Sequence, residues 1–191
     1  MSRLEEFSSW AVNLGYGEIP DDVLKKTRLQ VMNMLAAMIA GYRTEQDTRQ
    51  SGDGGPCRTF SGPNDAPGAF FDYALNAMRH DFDDYLLAAH SGHSSVLAPL
   101  AVGQAVNASG QDFLKAVAVA NELEGRLGAS TVLGPHNGQM WSFIHASGAA
   151  AATALLKNAN SEEFLHAVLL SLYSPNYPNP AGFMGGDSKN L

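Results

Sequence analysis

Cysteine is almost absent from this chain: Cys57 stands alone among 191 residues, so no intrachain disulfide can form. That excludes the disulfide-framed folds of small secreted proteins. With no apolar signal-type segment at the N-terminus either, the reducing cytoplasm is the expected compartment. Charge is also scarce. Asp, Glu, Lys and Arg make up 16% of residues and the formal net charge is −7. Nucleic acid and anionic lipid both need clustered Lys and Arg to displace counterions, so neither a nucleic-acid nor a membrane partner is expected. Long hydrophobic runs are missing too. The longest, Val31 to Tyr42, is interrupted by Asn33 and falls short of the ~20 residues of a membrane span, so it reads as a buried helix. Finally, no segment alternates apolar and polar residues with β-branched enrichment, which leaves an all-α multi-helix bundle as the expected fold class.

Apolar residues are plentiful at 45%, enough for one sizeable core, and a single domain over 1–191 is the default for this length. Helical surface that carries Ala and Leu in place of Lys and Glu usually lies against something, so a subunit or domain interface is expected, a homo-oligomer among the possibilities.

Helical spacing appears first in Leu4, Phe7, Trp10, Ala11 and Leu14, after the good N-cap residue Ser2, and it stops at Gly15 and Gly17. Pro20 then starts a second helix, with Asp21 and Asp22 in its positive first turn and an apolar face continuing to Gly41. From 43 to 68 the composition changes to Gly, Pro, Ser, Asp and Thr, which predicts a long flexible loop near a site. Cys57 falls within it and reads as an ordinary loop thiol. Further helices are predicted over Ala69 to Met78, from Ser94 or Ser95 to about Asn107, and from a Ser109/Asp112 capping box through Leu123 to a stop at Gly128. An alanine-rich helix around Gly148 to Leu156, opened by His145, and a last helix capped by Ser161 complete the set. The stretch 174–191 is a Pro/Gly-rich tail that ends without a capped element, as a truncated product or one subunit of a split protein would.

Three of the six histidines, His80, His90 and His93, stand with Asp81, Asp83 and Asp84 within fourteen positions that flank a break between two helices. Carboxylates beside imidazoles on a connection held by rigid helices supply general acid–base partners and metal ligands alike. The plain alternative is helix capping and solvation. His80-Asp81 has the look of the dyad of helical metal phosphohydrolases, but those enzymes need a further upstream histidine and none precedes His80, so a metal-dependent hydrolase ranks third among the readings. Cys57 lacks any nucleophile signature. Metal-free proton transfer, with Asp81 and a histidine as base and acid, asks for nothing the sequence lacks. His136, His145 and Lys189, taken singly, read as structural or solvated residues.

Taken in order, several segments together resemble the N-terminal helical region of the MmgE/PrpD family, which includes 2-methylcitrate dehydratase, cis-aconitate decarboxylase and iminodisuccinate epimerase. They are Ile19-Pro20, Ile39-Ala40-Gly41, Asp81-Phe82-Asp83-Asp84, His93-Ser94-Ser95, and Ser109-Gly110-Gln111-Asp112. Glu122, Arg126-Leu127-Gly128 and the alanine run from Gly148 to Ala152 follow. The resemblance implies that Asp81 and His93 are catalytic and that Lys189 matches the lysine after a glycine-rich loop. His136 is the nearest candidate for the second catalytic histidine, with Gln139 or His145 as alternatives. Asp84, Tyr85, Gln139 and His145 would contact substrate. Departures from the family pattern are Tyr85 in place of a threonine, Met78 in place of a histidine, and a longer segment before His93.

The implied chemistry is that of a lyase or isomerase acting on a small di- or tricarboxylate by dehydration, decarboxylation or epimerisation, with no metal or organic cofactor. Full-length relatives carry an additional α+β lid domain, so a companion chain supplying that lid is the implied partner. The alternative from a different class is a non-catalytic helical interaction or assembly subunit.

Overall fold

The computed structural model describes residues 2–42, 54–82, 84, 86, 90–131 and 141–173, with the backbone alone at 131 and 141–143. Seven α-helices account for most of these residues: α1 (Arg3–Asn13), α2 (Asp21–Tyr42), α3 (Ala66–Met78), α4 (Ala98–Ala105), α5 (Gly110–Thr131), α6 (Trp141–Leu156) and α7 (Ser161–Tyr173). Among the described residues no helix is long and apolar enough to cross a membrane.

Local chemistry explains the helix ends. Ser2 and Glu5 form a reciprocal capping box at α1. At α5 the Ser109 hydroxyl accepts from the Asp112 N–H at 3.1 Å. The cap of α7 is Asn160, one residue before the predicted Ser161: its side-chain oxygen accepts from the N–H groups of Glu162 and Glu163, both at 3.0 Å, and Glu163 returns a bond to its backbone N–H. Asn107 and Asn158 take left-handed backbone angles (φ 54° and 56°) and terminate α4 and α6. Asparagine tolerates this conformation better than most side chains. Gly128 does not end α5, which continues to Thr131, and His145 lies in the second turn of α6 instead of opening it.

The predicted flexible loop over 43–68 needs correction in its second half. Cys57–Thr59 (β1) and Gly62–Asn64 (β2) pair as an antiparallel hairpin, and α3 begins at Ala66 with Asp65 as its N-cap and Pro67 in its first turn. The hairpin is docked. Tyr73 donates to the Arg58 carbonyl at 2.5 Å and accepts from Gln104 at 2.7 Å, while Gln104 accepts from the Arg58 N–H at 2.9 Å. Cys57 is no loop thiol either. It is fully buried, bonds the Ala101 carbonyl at 3.2 Å, and has its pKa pushed up by burial and by the nearby Asp65. Residues 43–53 lie outside the described set.

The core has two main parts. Met34, Ala37, Met38, Tyr73, Ala77, Val96, Leu97, Ala101 and Val117 join α2, α3, α4 with the turn before it, and α5, and Ala11, Val119, Leu123, Ala151, Phe164 and Val168 join α1, α5, α6 and α7. Helix α5 belongs to both. Helices α2 and α3 touch at backbone distance where Gly41 meets the Asn76 carbonyl: a Cβ on residue 41 would stand 1.8 Å from that oxygen. The polar groups of interest lie where α2, the end of α3, the start of α4, α5 and α6 come together.

Candidate active site

Helix α3 gives out at Met78, and three residues later Asp81 adopts a left-handed backbone (φ 57°). Such geometry is uncommon outside glycine and collects at functional sites. The Asp81 side chain is about half exposed (53%), and its Oδ1 lies 3.6 Å from His90 Nε2, whose ring is 19% exposed. From His90 a row of imidazoles continues to His93 and His145. The His90 and His93 rings are 6.2 Å apart, and His93 meets His145 of α6 edge-on at 6.0 Å. His80 stacks on Phe82 at 5.2 Å.

His93 opens a five-residue π turn, His93–Leu97, closed by the Ala98 N–H bonding back to the His93 carbonyl. Pro99 gives a physical reason for the widened turn, since its ring would crowd the Ser95 carbonyl four residues earlier and it has no N–H to offer. Wide turns of this kind recur at functional sites. The Ser94 hydroxyl here lies 2.7 Å from His145 Nδ1 and 3.1 Å from the Ser91 carbonyl.

Beside the row lies a polar network built from α2, α5 and the connection between α3 and the π turn. Asp84 Oδ2 accepts from Gln30 Nε2 at 2.6 Å and from the Ser91 hydroxyl at 3.0 Å, and its Oδ1 accepts from the Gly92 N–H at 2.8 Å. Gln30 of α2 and Asn121 of α5 pair their amides reciprocally at 3.0 and 2.7 Å. The Asp84 carboxylate approaches so closely because residue 92 is glycine: a Cβ there would stand 2.4 Å from Asp84 Oδ1 and 2.3 Å from Met34 Sδ.

A second acid lies behind Ser94. Glu124 of α5 is 1% exposed and neither carboxyl oxygen has hydrogen-bonding geometry to a described group. Burial drives its pKa well above the ordinary glutamate value. The Ser94 hydroxyl beside it opposes the rise and the Asp84 charge adds to it. Its Oε1 occupies the space over Gly148, where a Cβ would stand within 1.6 Å.

Of the residues predicted for the site, Asp81, Asp84, His93 and His145 are thus brought together, with His90 between Asp81 and His93. Tyr85, His136, Gln139 and Lys189, together with Asp83, lie outside the described residues. Glu124, Gln30, Asn121 and Ser91 went unrecognised in the sequence. For Glu124 a signal existed. Glu122 and Glu124 are two positions apart, about 200° around a helix, so they face opposite ways. Glu122 forms a surface pair with Arg126, its Oε1 2.8 Å from Arg126 Nε, and Glu124 must then face inward. Among the described residues no three His, Cys, Asp or Glu side chains gather as metal ligands would.

The family model of the MmgE/PrpD N-terminal domain matches residues 5–176. The chain belongs to the MmgE/PrpD family. The match runs from the first turn of α1 to beyond the end of α7, so it contains every described element of the site. No curated protein sequence matches the chain.

Proposed function

We propose that this MmgE/PrpD chain is the helical part of a lyase or isomerase that moves a proton next to a carboxylate of a small di- or tricarboxylate, using side chains alone. The observation that carries this reading is the row Asp81, His90, His93, His145, set at a helix break and running from a half-exposed carboxylate to half-buried imidazoles. Removing such a proton builds carbanion-like charge, which a nearby acid or cation must stabilise. Asp81, poised by His90, serves as the base or orients it. His93 and His145 face the developing charge, and Lys189 and His136 (or Gln139) complete the anion site. Asp84 is assigned a holding role, because its three acceptor contacts are already taken by Gln30, Ser91 and Gly92. Tyr85 is assigned to substrate contact. A homo-oligomer, a companion chain carrying a lid, and cytoplasmic residence belong to the same proposal.

Turnover of a panel of small polycarboxylates by the chain in its native assembly tests this. Asp81→Asn and His93→Ala are each expected to lower kcat by at least ~100-fold, the usual scale for a lost acid–base group, while helix content stays unchanged. Equal turnover by the substituted assemblies would refute the assignment.

A second reading, a non-catalytic interaction subunit, is favoured by one observation. Trp10, Leu170 and Tyr173 are 43%, 68% and 88% exposed, and a groove of about 580 Å³ runs between α1 and α5, lined by Leu4, Phe7, Trp10, Leu123 and Leu127. This reading predicts a stable complex that keeps its function in both substituted forms.

A further inference from the structure

The Ser94 hydroxyl carries one proton and has three neighbours: the Ser91 carbonyl, His145 Nδ1 and the Glu124 carboxyl. Where that proton goes decides which nitrogen of His145 holds its own. If Ser94 donates to Ser91, Nδ1 must be the donor across the 2.7 Å contact. If Ser94 donates to Nδ1, the ring proton resides on Nε2.

Glu124 breaks the tie. A carboxyl this deeply buried with no partner in hydrogen-bonding geometry is costly, and more so as an ion than as a neutral acid. Its terminal torsion is broad and soft, so the carboxyl is free to turn its acid proton toward the Ser94 hydroxyl, the one hydroxyl that acts on it. Helix α5 holds the carboxyl at that depth, and bare Gly148 on α6, one turn beyond His145, leaves room for it. Among the described residues, the ionisable groups around the relay include His145 on α6, His93 on the π turn and Asp84 before it.

We propose that Glu124 is a positioning residue for His145: its carboxyl O–H donates to Ser94 Oγ, Ser94 donates to His145 Nδ1, and the imidazole is thereby held with its proton on Nε2. This rests on reading the imidazole row as the active site, and it deepens that reading by making His145 a neutral N–H donor to developing negative charge instead of a base. Nothing is oxidised or transferred in setting the relay; three groups share existing protons.

NMR of the labelled full chain tests the proposal without any substrate. At pH 7 the Glu124 side-chain carbonyl carbon is expected at the position of a protonated acid, and the His145 nitrogens are expected to report Nε2–H. Glu124→Gln, which keeps a donor, should preserve that tautomer. Glu124→Met, of similar shape but with no donor, should move the proton to Nδ1, and Ser94→Ala should erase the difference between the two Glu124 variants. An ionised Glu124 in the unaltered chain, or His145 found as Nδ1–H or imidazolium there, would overturn the proposal even if no variant folded. So would a Met variant with an unchanged tautomer. Failure here stands apart from failure of the proposed function. The tautomer can be right in a chain without turnover, and turnover can depend on Asp81 and His93 with the tautomer wrong.

Discussion

Two carboxyls near the same helix junction are held in opposite ways. Asp84 sits over Gly92 with donors on both oxygens, supplied by Gln30, Ser91 and the Gly92 backbone. Glu124 sits over Gly148 with no donor in hydrogen-bonding geometry, and burial holds it toward its neutral form. Each needs a glycine for its close approach, so the space is similar and the supply of donors differs. A carboxylate with three donors ties elements together. An acid deprived of them keeps its proton and becomes a donor itself.

The largest effect should come from breaking the satisfied member. Asp84→Ala leaves the donors of Gln30, Ser91 and Gly92 without their acceptor and is expected to cost about 3 kcal/mol, a fall in Tm of roughly 10 °C for a chain of this size. Thermal unfolding followed by circular dichroism reads it. A loss under about 1 kcal/mol would mean that water replaces the carboxylate and the network holds nothing in place.

Removing the member that no donor reaches should act in the other direction. Glu124→Met replaces a buried carboxyl by an apolar group of like shape and is expected to stabilise the chain by about 1–2 kcal/mol at pH 7, measured by denaturant unfolding. Destabilisation of the same size would show that donors reach the carboxyl oxygens.

The pH dependence sharpens the contrast further. Because the folded pKa of Glu124 is raised above its ordinary value of 4.5, the folded chain keeps this proton while the unfolded chain releases it. Its contribution is therefore fully present below pH 4.5 and is lost as pH rises from there toward the folded value. The slope can reach about 1.4 kcal/mol per pH unit. Stability of the unaltered chain minus that of Glu124→Gln should fall with rising pH across this window. A flat difference would place the folded pKa near the ordinary one.

The smallest effect belongs to the exposed acid on the same helix. Glu122→Ala breaks the surface pair with Arg126 and should change stability by no more than about 0.5 kcal/mol, less still at high salt. A larger change would show that the pair is not merely a solvated one.

The same division marks what could be read in the sequence. The helices were legible because apolar periodicity and end caps such as Ser2, Ser109 and Asn107 are local properties. The hairpin at Cys57 was not: its strands are three residues each, and Tyr73 from the next helix and Gln104 from α4 hold it. The π turn at His93 was hidden for a similar reason, since widening by one residue leaves no periodic trace. Asp81 and His93 stood out through the local crowding of acids and imidazoles, and the family resemblance named them. The Gln30–Asn121 pair spans 91 positions and could not. His145 was recognised, but its link to Ser94, and through it to Glu124, is tertiary.

Solvent-deuterium exchange would be the most direct measurement. Incubated in heavy water with small di- and tricarboxylates, the chain in its native assembly is predicted to exchange the C–H next to a carboxylate in at least one of them, with that exchange abolished by Asp81→Asn and by His93→Ala. Exchange that persists undiminished in both would contradict proton abstraction at this row of side chains.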